Sequence, residues 1–225
     1  MLFRSVLIAT LIATPLAAQD CTQDAMIVFD GSGSMVENGF NDLDEPRIFQ
    51  ARRAVADAIP DIAVHRRLGL VIYGPGGDLC SGIDLRFGPQ ADAAEPIISA
   101  VDALQPGGDT ALTVAVQLAA DVLEYRTRPG AIVLVTDGKE TCGGSPCQLA
   151  AELAADGQDL VVHVIGFKVR GEHFSWQSQG TDDYREASTP AACLADRTGG
   201  LYVAAESVTD LIAAFEKTLG CDLMF

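Results

Sequence analysis

Apolar residues gather into short continuous runs along this chain: AMIVFD (25–30), LGLVIYG (68–74), AIVLVTDG (131–138), DLVVHVIGF (159–167) and GLYVAA (200–205). They are rich in Val and Ile, and unbroken rather than alternating runs are what strands covered on both faces require. A sixth, GIDLRFG (82–88), alternates, as an edge strand does. It follows YGPGGD so closely that it is expected to return antiparallel to its predecessor.

Helical periodicity fills the intervals. Residues 46–59 begin at Pro46 and space Ile48, Ala51, Val55 and Ile59 along one face. Residues 110–125, TALTVAVQLAADVLEY, are apolar on nearly every side and predict a deeply buried helix. Ser145, with Gln148 three residues on and Pro146 between them, reads as a capping box opening a helix that Gly157 closes. Another helix follows Thr189-Pro190 and ends at Gly199, and a last one begins at Ser207, with Asp210 three residues on, and runs to Leu219. Strands alternating with helices predict a doubly wound α/β domain: a mainly parallel six-stranded sheet with one antiparallel edge strand and helices on both faces. Residues 19–225 show neither repeat nor linker and read as a single domain. Only residues 168–187, which include Trp176, break the rhythm. This segment reads equally as an interaction loop and as an ordinary insertion.

Composition narrows the setting. The opening MLFRSVLIATLIATPLAAQD has one basic residue, an apolar stretch and small residues before Gln19, the pattern of a signal peptide spanning residues 1–18. No other segment approaches the length of a membrane helix, so the mature protein is expected to be exported, periplasmic or secreted, without membrane insertion. In that setting the cysteines at 21, 80, 142, 147, 193 and 221 are expected to form disulfides. A zinc site is the rival, but the one close pair, CGGSPC, has no second pair or nearby histidine to complete it. A net charge of −16 excludes nucleic acid and anionic membrane as partners.

Chemistry concentrates at three points. Asp30, Ser32 and Ser34 stand every second residue at the exit of the first strand, Thr110 opens the buried helix, and Asp137 ends a later strand. Singly, each has a local explanation as a turn or cap residue. Together they do not, because ligands in an open α/β sheet sit beyond the carboxyl ends of the strands. Two carboxylates brought together there repel unless a cation neutralises them. The other contributors are hydroxyls, and an all-oxygen donor set selects a hard divalent cation: Mg²⁺, with Mn²⁺ or Ca²⁺ as alternatives.

Asp30-x-Ser32-x-Ser34, Thr110 after a double glycine and Asp137-Gly138 resemble the metal-ion-dependent adhesion site of von Willebrand factor A domains, and the resemblance extends over residues 22 to 220. It implies strand order 3-2-1-4-5-6, with Asp30 and Asp137 on neighbouring central strands. It further implies two serines ligating the metal directly, Thr110 and the aspartates binding directly or through water, and one position left open for an acidic residue of a partner protein. In some family members that exchange is coupled to movement of the last helix, here 207–219. The stretches LVIYGPGGDLCSG and DGKETCGGSPC are similar to exported bacterial proteins built around one such domain. On that fold Cys21 and Cys221 are expected to tie the termini, Cys142 and Cys147 to close a small loop, and Cys80 to pair with Cys193.

The expectation is therefore an exported, metal-dependent protein-binding domain. Its alternatives are an interaction module with a purely structural metal and a metal-assisted hydrolase. A serine hydrolase is disfavoured because DGSGS is not G-x-S-x-G and only His173, of the three histidines, could approach the site. Dinucleotide binding lacks its glycine fingerprint. Lys139 and Glu140, beside Asp137, are expected on the rim, where they could tune the choice of partner or stand merely solvated.

Overall fold

Strand β1 (Ala25–Asp30) is buried at every position, and its side chains sort alternately into two apolar layers. Ile27 and Phe29 join the layer beneath helices α1 (Arg47–Ala63), α2 (Ala94–Asp102) and α6 (Val208–Leu219). Met26 and Val28 join the layer beneath α3 (Leu112–Val122), α4 (Pro146–Asp156) and α5 (Ala192–Thr198). A strand serving two cores has no polar face, which explains the unbroken apolar runs. The computed structural model describes residues 23–38, 45–76, 80–167 and 190–220. The expected signal peptide, the Cys21–Cys221 tie, His173 and the 168–187 segment lie outside the described residues.

The strands are β1, β2 (Leu68–Tyr73), β3 (Ile83–Gln90), β4 (Gly130–Thr136), β5 (Leu160–Phe167) and β6 (Tyr202–Ala205). They lie in the order β3-β2-β1-β4-β5-β6, all parallel except the β2–β3 hairpin. This is the expected doubly wound sheet with one antiparallel edge strand and helices on both faces. Register places the chemistry: Asp30 lies opposite Tyr73, and Phe29 opposite Val135. Asp30 therefore emerges beside Thr136 and Asp137 at the carboxyl end of the two central strands.

Several local expectations change. The alternation along β3 is broken, because register shifts near Leu70 act as bulges and a one-residue slip sends later side chains to the opposite face. Ile83 consequently packs on one layer and Phe87 on the other, while Leu85 stays exposed. Helix α1 continues past Ile59 through Pro60. A proline costs a helix interior about 3 kcal/mol, offset here by burial of Ile59, Ile62 and Ala63. Helix α2 was not read from the sequence, although Ile97 and Val101 form its buried face, with buried Ala93 and Leu104 flanking its ends. Helix α3 is buried on one side only, since Val114 is 55% exposed. Ser145 precedes α4 but makes no side-chain cap hydrogen bond, so that capping box does not form. The one at Ser207 and Asp210 does, with both reciprocal bonds.

The disulfides differ from expectation. Cys80 pairs with Cys142 and Cys147 with Cys193, not Cys142 with Cys147 or Cys80 with Cys193. Cys147 lies in the first turn of α4, which packs on α5, the helix carrying Cys193. That packing turns Cys147 away from its near neighbour in sequence and leaves Cys142 to the loop after β2.

Candidate metal centre

Three loops converge beyond β1 and β4. The first leaves β1 at Asp30 and tightens into a 3₁₀ turn, Gly33–Val36. The second precedes α3, and the third follows β4. Backbone bonds lace the first two together: Gly107 donates to the Gly31 carbonyl at 2.9 Å and Gly33 to the Gly108 carbonyl at 3.0 Å. The second and third are joined by Thr110 N donating to Thr141 Oγ1 at 2.8 Å and Thr141 N returning to the Thr110 carbonyl at 3.0 Å. Gly74, at φ +111°, lets the end of β2 pass so close that a side chain there would meet the backbone of Gly31 and Ser32.

Within this frame four of the five sequence-predicted residues line up oxygen to oxygen, Asp30 with Ser32 and Ser34 with Asp137 by hydrogen bonds and the two serines by close contact. Asp30 Oδ1 accepts from Ser32 N at 2.9 Å and from Ser32 Oγ at 2.6 Å. Ser32 Oγ and Ser34 Oγ lie 3.1 Å apart, and Ser34 Oγ donates to Asp137 Oδ1 at 2.6 Å. Thr110 joins through a hollow rather than a bond. A Cβ placed on Gly138 would lie 3.8 Å from Thr110 Oγ1 and 3.9 Å from Ser34 Oγ, so both hydroxyls face the space that glycine leaves. All five predicted residues are thus brought together.

The donor chemistry suits a divalent cation. Both serine hydroxyls spend their protons on carboxylates, which leaves oxygen lone pairs as the ligating groups. An octahedron with metal–oxygen distances near 2.1 Å has edges of about 3 Å, close to the Ser32–Ser34 separation.

The carboxylates are unequally held. Asp30 is fully buried; its Oδ2 accepts from Thr136 Oγ1 at 2.9 Å and from Asp137 N at 3.4 Å. Burial first, and the neighbouring Asp30 second, raise the Asp137 carboxyl from its ordinary range to about 6. Opposing them are the Ser34 hydrogen bond and Arg47. Beneath Asp30, the buried Tyr73 phenol is pushed well above its usual value by burial and by Asp30, so it stays neutral.

Arg47 and Thr136 are the residues the sequence reading missed. Arg47 Nη1 donates to Asp137 Oδ2 at 3.1 Å, to the Ser34 carbonyl at 2.9 Å and to Glu37 Oε2 at 3.3 Å. One signal could have found it: an arginine opens α1, where the helix dipole disfavours cations. Glu140 is also not the rim residue expected. Its Oε2 accepts from Thr113 N at 2.8 Å and Thr113 Oγ1 at 2.5 Å, and its Oε1 from Cys142 N at 2.8 Å. It fastens the third loop to the start of α3.

Among the described residues, other polar clusters do not compete with this centre. Cys80, Asp109 and Cys142 bring ligating atoms within 4.8 Å of one another, but their two sulfurs are joined in a disulfide. His163 is buried in mid-strand, opposite Val133, with Nδ1 accepting from Leu201 N at 3.1 Å. Burial lowers it to about 4. It is a packed sheet residue. No described helix is long and apolar enough to cross a membrane.

The chain resembles other proteins in sequence and in fold. Uncharacterized protein YwmD of Bacillus subtilis is 26% identical over 223 residues, covering 94% of this chain and 92% of its own. The crystal structure of an aerotolerance-related membrane protein from Bacteroides fragilis superposes with a TM-score of 0.59 at 18% identity, over 88% of this chain and 98% of that one. Proximal thread matrix protein 1 from the mussel byssus, in a structure with a zinc-occupied MIDAS motif, gives a TM-score of 0.57 at 19% identity, over 89% of this chain and 46% of that one. Residues 25–140, more than half of the chain, match the family described as von Willebrand factor type A domain. On the sheet order and that match together, the chain belongs to the von Willebrand factor type A domain family.

Proposed function

We propose that this protein is an exported interaction domain that binds Mg²⁺ through Ser32 and Ser34, with Thr110, Asp30 and Asp137 ligating directly or through water, and uses the bound ion to recruit an aspartate or glutamate of a partner protein. The observation carrying this reading is the row Asp30–Ser32–Ser34–Asp137, in which each serine hydroxyl donates to a carboxylate and keeps its lone pairs for a cation. The zinc-occupied motif in the mussel protein of the same fold supports it. When bound, the ion supplies a Lewis-acidic position with an affinity for one more oxygen ligand. The chain's own residues do the rest. The laced loops fix the hydroxyls, Thr136 orients Asp30, and Glu140 anchors the loop that carries Asp137.

The apolar opening of the chain supports export through a signal peptide over residues 1–18, and a disulfide-bonded domain suits an oxidising compartment. Two measurements test the proposal. Calorimetric titration with Mg²⁺, Mn²⁺ and Ca²⁺ should give binding to the wild type and none to Asp30→Ala. A pull-down from exported protein of the source cell should retain a partner with Mg²⁺ and release it with EDTA. A partner retained regardless of EDTA would reduce the ion to a structural part of the fold.

A further inference from the structure

Arg47 is an expensive residue to place where it stands. It is only 8% exposed, its Nε has no hydrogen-bond partner among the described residues, and it opens a helix whose dipole repels it. What holds it there is the site: the Ser34 carbonyl and Asp137 Oδ2 both accept from its Nη1. The third acceptor, the Glu37 carboxylate, is 68% exposed and screened by solvent.

We propose that Arg47 is the resident counter-cation of this site, a positioning and specificity-determining residue that opposes entry of the divalent ion and biases the loaded site toward a carboxylate ligand. The inference rests on the metal-binding reading above and deepens it. Its basis is a charge count over the buried ionisable groups that meet at this site among the described residues. Asp30 and Asp137 contribute two negative charges and Arg47 one positive, for a total of −1. A divalent ion brings that to +1, which a single incoming carboxylate neutralises. Without Arg47 the loaded site would already be neutral, and an acidic ligand would gain less from entering. Arg47 also holds Asp137 Oδ2 and so leaves Oδ1, the atom bonded to Ser34, as the oxygen nearer the serine hydroxyls. It also partly compensates two buried acids that would otherwise repel, and so keeps the ligating arrangement assembled.

The test compares wild type, Arg47→Gln and Arg47→Lys. Mn²⁺ is titrated by calorimetry, and acetate is then titrated into each Mn²⁺-saturated protein by water-proton relaxation, which falls when a carboxylate displaces metal-bound water. Arg47→Gln should bind Mn²⁺ roughly tenfold more tightly, because a full charge 3.1 Å from a ligand carboxylate is removed. It should bind acetate about threefold more weakly and melt at a lower temperature in EDTA. Arg47→Lys, which keeps the charge, should follow the wild type in both affinities. Arg47→Met carries the same test if the glutamine variant does not fold. A wild type that binds Mn²⁺, beside an uncharged variant that binds it no more tightly, overturns the role of Arg47 alone. Absence of Mn²⁺ binding in all of these proteins overturns the metal reading and this inference together.

Discussion

Replacing Ser34 by alanine separates the structural from the ligating role of one hydroxyl. Ser34 Oγ donates to Asp137 Oδ1 at 2.6 Å, and the Asp137 side chain is fully buried. A hydrogen bond to a charged group contributes about 1.5–3 kcal/mol. Arg47 still holds the other oxygen, so the cost should fall near the middle of that range, about 2 kcal/mol. For a domain of this size that is a loss of roughly 4–8 °C in melting temperature. Metal adds a second, distinguishable effect. At a Mg²⁺ concentration 100 times its dissociation constant, the wild type gains about 2.7 kcal/mol from binding, whereas Ser34→Ala, lacking a ligand oxygen, gains almost nothing. The stability gap between the two proteins should therefore widen from about 2 kcal/mol in EDTA to between 4 and 5 kcal/mol with saturating Mg²⁺. Urea unfolding followed by circular dichroism, run under both conditions, measures it. A gap of the same size with and without Mg²⁺ would refute the assignment of Ser34 as a ligand.

Three further outcomes are expected. Gly138→Ala should leave ion-free stability nearly unchanged, since the added Cβ meets its nearest neighbours at 3.8 and 3.9 Å, yet weaken Mg²⁺ binding severalfold by intruding on the hollow; calorimetry beside a melting curve checks both halves. His163 is lowered to about 4 by burial, so its stabilising neutrality is complete above about pH 6.5 and is lost as pH falls toward 4, by roughly 3 kcal/mol in all. Asn at position 163 keeps an acceptor for Leu201 and should remove that slope, so equal pH dependence in the two proteins from pH 7 to 4 would contradict the account. Peptide mapping without reduction should recover Cys80 linked to Cys142 and Cys147 to Cys193, and each pair replaced by serine should cost about 4 kcal/mol in the chain-entropy estimate for loops of 62 and 46 residues; a peptide joining Cys142 to Cys147 would overturn this pairing.

The sheet and the five candidate ligands were legible because their signals are local. A strand buried on both faces is apolar along nearly its whole length, so β1, β2, β4 and β5 announce themselves in consecutive residues. The Asp30-x-Ser32-x-Ser34 spacing likewise belongs to one turn, and sheet order carries Asp137 to its side. What stayed hidden depends on partners distant in the chain or on packing that overrides a local rule. Arg47 meets Asp137 across 90 positions, and nothing near residue 47 names that acceptor. Pro60 ends no helix because the apolar layer beneath it outweighs the lost hydrogen bond. Glu140 reads as a solvated charge until α3 places the Thr113 amide and hydroxyl within its reach. The cysteine pairing turned on the direction of Cys147, set by the packing of α4 on α5. Sequence by itself determined which residues could ligate and which strands would carry them, since burial and motif spacing are written in neighbouring positions. Only the tertiary structure decided the charge of the site, because that depends on a cation delivered by a separate helix.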